Sequence, residues 1–592
     1  MQLIQRLRLP AVFCALAVLL CELVSRPFST MGFVDDWPYI LSAQKLANTG
    51  HIVYNGWAAP ILGWHLYLGA AFIKLFGFSL TTVRMSSLVV ALLLAFFLQR
   101  IMVLCGTTER NATIGTLAFV LSPLYLMLSV TFMTDITGLF SVVLCFYGCL
   151  RALTSISSRA AIGWLCFAVA TNAVLGTSRQ IEWLGIFVMV PSALWLFRTQ
   201  RRVLLAGSVA TLLGALFIFV CMQWFARQPY TIPEHLIPDA FPIAKIFWQY
   251  VHCILELPFL LLPIFAIFLA SLRKSRPRVV AVIVFLICSY IFLAFYPSHL
   301  RGQFPLEPTM NDWIEPHGIF ETVFMKGVPP LYFPRSVGVL FTVLSLGGSL
   351  GLIALLGRMR PANSVTEAPT GLSWYQLLVL TVPFAVANLL IFLPRAATYG
   401  ITVRYLLGIL VVALPCLVRC YQEYLHPRLP IASMVLVAFM ALFSIALIHN
   451  LFSFYRARVA LVAELQAAGV PPTSVDNGWE YNVWVELQHA PYINNVRMVL
   501  PPHAYVPTHP QPADNCKMSD FDAFPHIHPV YGVSFSPDAC YGLAPFAPVH
   551  YSRWPHRSPG TLYVVRYVPP SKPEPAPRVP QGSLIPATHS VP

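Results

Sequence analysis

Asp35 and Asp36 stand side by side in the segment MGFVDDWPYILSAQKLANTG, directly after an apolar run over residues 9–25. A carboxylate pair at the end of an apolar segment is costly near hydrocarbon unless it faces water, a cation or a substrate. Two plainer accounts stand beside that one: both acids solvated at an interface, or Asp36 capping the helix that follows. Further along, SVTFMTDITGLF carries Asp135, TSRQIEW carries Arg179 and Gln180, and TYGITVRYLLGIL carries Tyr399, Arg404 and Tyr405, each near the end of another apolar run. For each arginine, an anchor snorkelling to the interface is an equal reading. His252 and Glu256 share a helix face at i and i+4 inside an apolar run. A functional pair and a simple mutual hydrogen bond account for them equally. His526 and His528, two apart in FPHIHPV, lack the ligand set of a metal site.

These groups sit in an unusual background. Of 592 residues, 57% are apolar types and 10% are Asp, Glu, Lys or Arg, against roughly 25% charged residues in a soluble protein. The mean hydropathy is +0.68. A soluble protein of this length needs far more charge to cover its surface. The figures exclude a soluble globular enzyme, a disordered protein and a nucleic-acid-binding domain. The net charge of +14 would suit a polyanion partner, but its distribution fits membrane orientation instead.

A bilayer-crossing helix needs about 20 mainly apolar residues, and that ruler finds about thirteen candidates. They lie at 9–25, 81–104, 113–130, 136–152, 161–177, 182–198, 203–225, 246–270, 279–297, 336–356, 372–393, 403–419 and 430–450. Arg6 and Arg8 precede the first run, and no small-residue cleavage site follows it, so it reads as a retained helix. With the N-terminus inside, the inner loops carry Arg110, Arg151, Arg159, Arg198, Arg201, Arg202, Arg273, Lys274, Arg276, Arg278, Arg358, Arg360, Arg419 and Arg428, as the positive-inside rule expects. Asn111-Ala112-Thr113 matches a glycosylation acceptor, but on the inner side.

The expected fold is an all-α polytopic membrane protein with amphipathic helices in its first outer loop and a small extracytoplasmic C-terminal domain. Its membrane module covers 1–450, with the first outer loop at 26–80; further outer loops fall at 226–245 and 298–335. The C-terminal domain covers 451–568, and 569–592 is a Pro-rich disordered tail. Within the loop, Trp37, Ile40, Leu41, Ala43, Leu46 and Ala47 follow helical spacing opposite Gln44, Lys45 and Asn48, as in an interfacial helix that stops at Gly50. Cys516 and Cys540 are the two cysteines of the exported tail, and the sequence leaves their pairing open.

The order of features is specific. An Asp-Asp just past the first span, an amphipathic loop, a proline, the turn KLFGFS and an arginine opening the second span resemble the GT-C membrane glycosyltransferases. Within them, the match is to the protein O-mannosyltransferase and lipid A aminoarabinose transferase group. The residues concerned are Asp35, Asp36, Ala43, Gly50, Pro60, Gly77 and Arg84, then Asp135, Arg179 with Gln180, and Arg404 with Tyr405. The tail SFYRARVALVAELQAAGVPPTSVDNGWEYNVW resembles that of bacterial members, and the resemblance spans most of 9–490.

The resemblance implies a sugar donor on dolichyl or undecaprenyl phosphate. It also implies an acceptor hydroxyl, on a lipid, glycan or protein, presented outside a bacterial cytoplasmic membrane. Such a displacement needs a carboxylate to take the hydroxyl proton and positive charge on the leaving phosphate. Neighbouring residues in a helical turn point about 100° apart, so one of the two aspartates faces the cavity. By analogy with the family this is Asp35 as the base, with Asp36 or Asp135 orienting substrate or metal. Arg84, Arg179 and Arg404, with Tyr399, are the candidates for the phosphate, Arg84 being the most structural of them. His65 is a candidate pocket residue, though a single histidine more often packs. Where some members carry a charged pair before the loop proline, this chain has Ala58 and Ala59, which weakens the case for a metal. A divalent cation on Asp35, Asp36 and Asp135 stays open. Two other readings remain: a transporter or lipid flippase, whose ionisable groups would gather mid-membrane, and an oligosaccharide ligase or oligosaccharyltransferase of related fold.

Overall fold

The computed structural model describes residues 8–234, 238, 240–295, 314–315, 317–319, 325–358, 372–398, 400–508 and 516–569. The chain is mostly helical. Each apolar segment read from the sequence falls on a helix or on a bent pair of helices. Eight helices are long and apolar enough to cross a membrane, and ten if each bent pair is one crossing. The pairs are Glu109–Val120 with Pro123–Ser129, bent by 70°, and Ile243–Leu260 with Leu262–Arg273, bent by 75°. A proline lies in the first turn of each second arm, where its missing N–H suits a helix start and not a continuation. Leu9–Ser25, Gln180–Leu196 and Pro277–Ser289 are apolar but shorter, below the roughly 20 residues of a full crossing.

Between the first two apolar helices the chain folds back as two short ones, Asp36–Thr49 and Gly63–Phe76. Trp37, Ile40, Ala43 and Leu46 are buried, while Lys45 and Asn48 are exposed. Gly50 ends the first of these helices at φ +76°, a conformation that costs glycine little. The second packs closely below it: a methyl group on Gly69 would meet the Phe132 ring at 2.5 Å and the Ala43 methyl at 3.2 Å.

The last long helix, Ile431–Ala467, has 37 residues. It is about 55 Å long, against roughly 30 Å of hydrocarbon, so it runs on past residue 450 and supports the C-terminal segment. There a four-stranded sheet has the order Val475–Asp476, Tyr531–Ser534, Gly560–Arg566, Val549–Tyr551. The first pair is parallel and the others antiparallel. The helix Trp479–His489 that follows the first strand is tied to the long helix by an internal ion pair. Arg458 Nη2 lies 3.0 Å from Glu480, both side chains are out of solvent, and Tyr455 Oη donates to the same carboxylate at 2.8 Å. Cys516 and Cys540 form a disulfide. Residues 570–592 lie outside the described residues.

Candidate functional site

Asp36 and Asp35 point to different partners. Asp36 is wholly buried; it accepts from the Phe33 backbone N–H at 2.7 Å and from Arg84 Nε at 2.7 Å. Arg84 spends its other nitrogens on the Ser29 and Met31 carbonyls. This arginine is therefore a staple between the first loop and the second apolar helix, and it has no face left for a phosphate. Asp36 is likewise committed to Arg84 and out of solvent. Val34, just before the pair, takes φ +48°, an unfavourable conformation for a β-branched residue that the Asp36–Arg84 staple holds in place.

Asp35 is half-buried and accepts a hydrogen bond from the indole Nε1 of Trp479, 3.3 Å away. Burial pushes its carboxyl up to about 6; the Arg404 guanidinium and the indole bond pull the other way, and Glu480 and Asp36 add to the rise. Trp479 belongs to the C-terminal helix Trp479–His489, so the C-terminal segment reaches back onto the first loop.

Arg404, whose charge acts on Asp35, belongs to a cluster of guanidiniums around one ring. Asp135, in the first turn of the Thr134–Leu153 helix, binds Arg179 through Oδ1 and accepts from Arg404 Nη1 at 3.3 Å through Oδ2. Gly138, one turn on, lets Arg179 approach: a methyl group there would sit 3.0 Å from the Arg179 Cβ. The guanidinium carbons of Arg179, Arg395 and Arg404 lie 4.7, 5.0 and 5.1 Å from the centroid of Tyr405. Tyr405 Oη accepts from Arg395 Nη2 at 3.1 Å and Arg404 Nη2 at 3.4 Å. Arg395 also pairs with Glu234. The cluster is built from the ends of apolar elements: the start of Thr134–Leu153, the start of Val403–Tyr424, the last turn of Trp374–Thr398 and the residue after Ser158–Ser178.

His65 is fully buried, with its ring 3.8 Å from that of Phe132. Neither nitrogen has a hydrogen-bond partner among the described residues. Burial lowers its pKa to about 3 despite Asp135 nearby, so it packs as a neutral ring. Tyr399 and the His252 side chain lie outside the described residues; Glu256 is buried. His526 donates from its ring Nδ1 to the Glu486 carboxylate, 2.6 Å away. Asn111 is buried, its amide bonded to Gln422, Pro427 and Leu429, which leaves no room for a glycan. Sequence reasoning missed Arg395, which reads as an interfacial anchor after Leu-Pro, and it placed no weight on Trp479. It named Tyr405 only as a match and not as the centre of the arginine cluster.

The three aspartates do not converge on a cation. Asp36 is taken by Arg84 and Asp135 by two arginines, and among the described residues no three His, Cys, Asp or Glu side chains form a metal-ligand group.

No protein-family model matches the chain, and no curated protein matches it. Among solved structures, the apo crystal structure of ArnT from Cupriavidus metallidurans is 16% identical over 93% of this chain and 97% of that one, with a TM-score of 0.41. The same protein bound to undecaprenyl phosphate gives 16% identity, the same coverage and a TM-score of 0.40. The archaeal oligosaccharyltransferase AglB from Archaeoglobus fulgidus, in complex with an inhibitory peptide and a dolichol-phosphate, is 14% identical over 74% of this chain and 55% of that one, with a TM-score of 0.36.

Proposed function

We propose that the protein transfers a sugar from a polyprenyl-phosphate donor to a hydroxyl group outside the membrane, with Asp35 as general base. The observation that carries this reading is the juxtaposition of Asp35 with the arginine cluster. A carboxylate held near 6 by burial can be ionised at neutral pH and still accept a proton readily. Beside it, Arg179, Arg395 and Arg404 around Tyr405 offer planar forks suited to phosphate oxygens. In the step, Asp35 takes the acceptor proton as its oxygen bonds to the anomeric carbon. The bond from that carbon to the phosphate oxygen breaks, and the cluster receives the growing charge on the polyprenyl phosphate. Asp35 then returns its proton to water. In this reading the site faces outward, on the same side of the membrane as the C-terminal segment, whose Trp479 reaches Asp35.

The gathering of charges at the ends of apolar helices favours this reading over a transporter, whose site is expected near the bilayer midplane. The test is transfer in proteoliposomes with a panel of labelled polyprenyl-phosphate sugars, comparing wild type with Asp35→Asn. Loss of transfer in the variant is expected. Equal transfer by both proteins would remove the base assignment, and silence of the wild type across the panel would remove the activity.

A further inference from the structure

We infer that Trp479, brought by the C-terminal segment, is a positioning residue for Asp35: its indole N–H holds one carboxylate oxygen and leaves the other turned to the acceptor hydroxyl. This rests on the reading of Asp35 as the base.

The contact is Trp479 Nε1 to Asp35 Oδ1 at 3.3 Å. An indole N–H can only donate, so it favours the ionised, proton-accepting form of the acid. The ring that carries it is fixed on three sides: its centroid lies 4.9 Å from Trp57, 6.1 Å from Trp37 and 5.3 Å from Phe524. The turn that carries the ring is fixed as well. Glu480, the next residue, is buried against Arg458 and Tyr455 of the last long helix. Gly478, the residue before, takes φ +77°, and a methyl group on it would meet Arg458 Nη2 at 2.7 Å. Three consecutive residues thus lock the C-terminal segment to the membrane module and deliver one donor to the carboxylate. The charged groups acting on Asp35 are Arg404, Glu480 and Asp36. Trp479 is the neutral contributor, so removing its N–H leaves the local charge count unchanged.

The experiment uses the full-length protein in proteoliposomes and two variants. Trp479→Phe keeps an aromatic ring against Trp57 and Phe524 but loses the donor. Trp479→Gln keeps an N–H donor and loses the ring. One readout is the acid limb of the transfer rate against pH. The other, which needs no turnover, is carbodiimide labelling of Asp35 over the same pH range, read by peptide mass spectrometry. In Trp479→Phe both midpoints are expected to rise by about one pH unit, the scale of one lost hydrogen bond to a carboxylate. Donor KM should stay within about two-fold. In Trp479→Gln the midpoints should stay near those of wild type. An unmoved labelling midpoint in Trp479→Phe overturns the inference, and so does an equal shift in both variants, which assigns the effect to packing. Should Trp479→Phe not fold, Arg458→Lys loosens the anchor behind the ring and decides in its place: a raised midpoint supports the contact and an unchanged one overturns it. If wild type transfers nothing, the base reading fails, but the labelling midpoints still decide whether Trp479 holds Asp35.

Discussion

The Arg84 guanidinium closes on the Asp36 carboxylate through two nitrogens, 2.7 and 3.3 Å away, with both side chains out of solvent. It joins the turn before the first loop helix to the start of the second apolar helix, and it fixes the backbone from which Asp35 projects. Breaking a buried pair on one side leaves an uncompensated charge and costs about 3–5 kcal/mol, whereas replacing both partners with apolar groups is often tolerated. Arg84→Met and Asp36→Leu are each expected to lower the unfolding midpoint in detergent, and the double variant to be more stable than either single one. Strictly additive losses in that double-mutant cycle would show that the two side chains are not coupled.

The pH dependence of transfer follows from burial of Asp35. With its carboxyl near 6, the ionised fraction grows about ten-fold between pH 5 and pH 7, and the rate should follow it and then level off. Arg404 is the largest influence holding that value down. Arg404→Gln is therefore expected to move the acid limb towards higher pH. A rate that is flat from pH 5 to 7 would count against Asp35 as the base.

Stability should move in the opposite sense. A carboxyl whose folded value is raised above its ordinary 3.8 destabilises the fold once ionised. The penalty is absent below about pH 3.8, grows up to about 6 and is complete above that. Asp35→Asn removes the charge and keeps an oxygen for the Trp479 N–H. It should stabilise the protein by up to about 3 kcal/mol at pH 7.5, less for the solvent screening of a half-buried group, and by nothing near pH 3.5. Thermal unfolding at the two pH values measures the difference, and an equal effect at both would point to a cause other than ionisation.

What the sequence disclosed and what it hid divide along physical lines. Hydropathy located each apolar helix, because burial in hydrocarbon demands an unbroken apolar run. The helical spacing of Trp37, Ile40, Ala43 and Leu46 likewise gave the first loop helix. The adjacent aspartates were visible as chemistry, and helical geometry required them to diverge, but not to which partners. That Asp36 would meet Arg84, and Asp35 would meet Trp479 from the far end of the chain, depends on tertiary packing that no local pattern encodes. Arg395 was hidden for a related reason. A lone arginine at the end of an apolar run has the same sequence signature whether it snorkels to the interface or joins Arg179 and Arg404 around Tyr405. His65, read as a candidate for the pocket, has its ring against Phe132 with no hydrogen-bond partner among the described residues.

The arginine cluster makes its own prediction about substrate binding. Arg395 reaches both Glu234 and the Tyr405 hydroxyl and lies over the Tyr405 face, so it belongs to the cluster. If the cluster holds the donor phosphate, Arg395→Gln should raise the donor KM by about ten-fold, the worth of one charge-assisted contact, and change kcat by less than about three-fold. Arg395→Lys keeps the charge but not the planar fork and should recover only part of the loss. Asp135→Asn acts differently: it frees Arg179 and Arg404 from their shared acid and leaves two guanidiniums without their anchor, so both kcat and KM should suffer. Steady-state kinetics with a saturating acceptor separates these cases. A donor KM unchanged in Arg395→Gln would place the phosphate away from Tyr405.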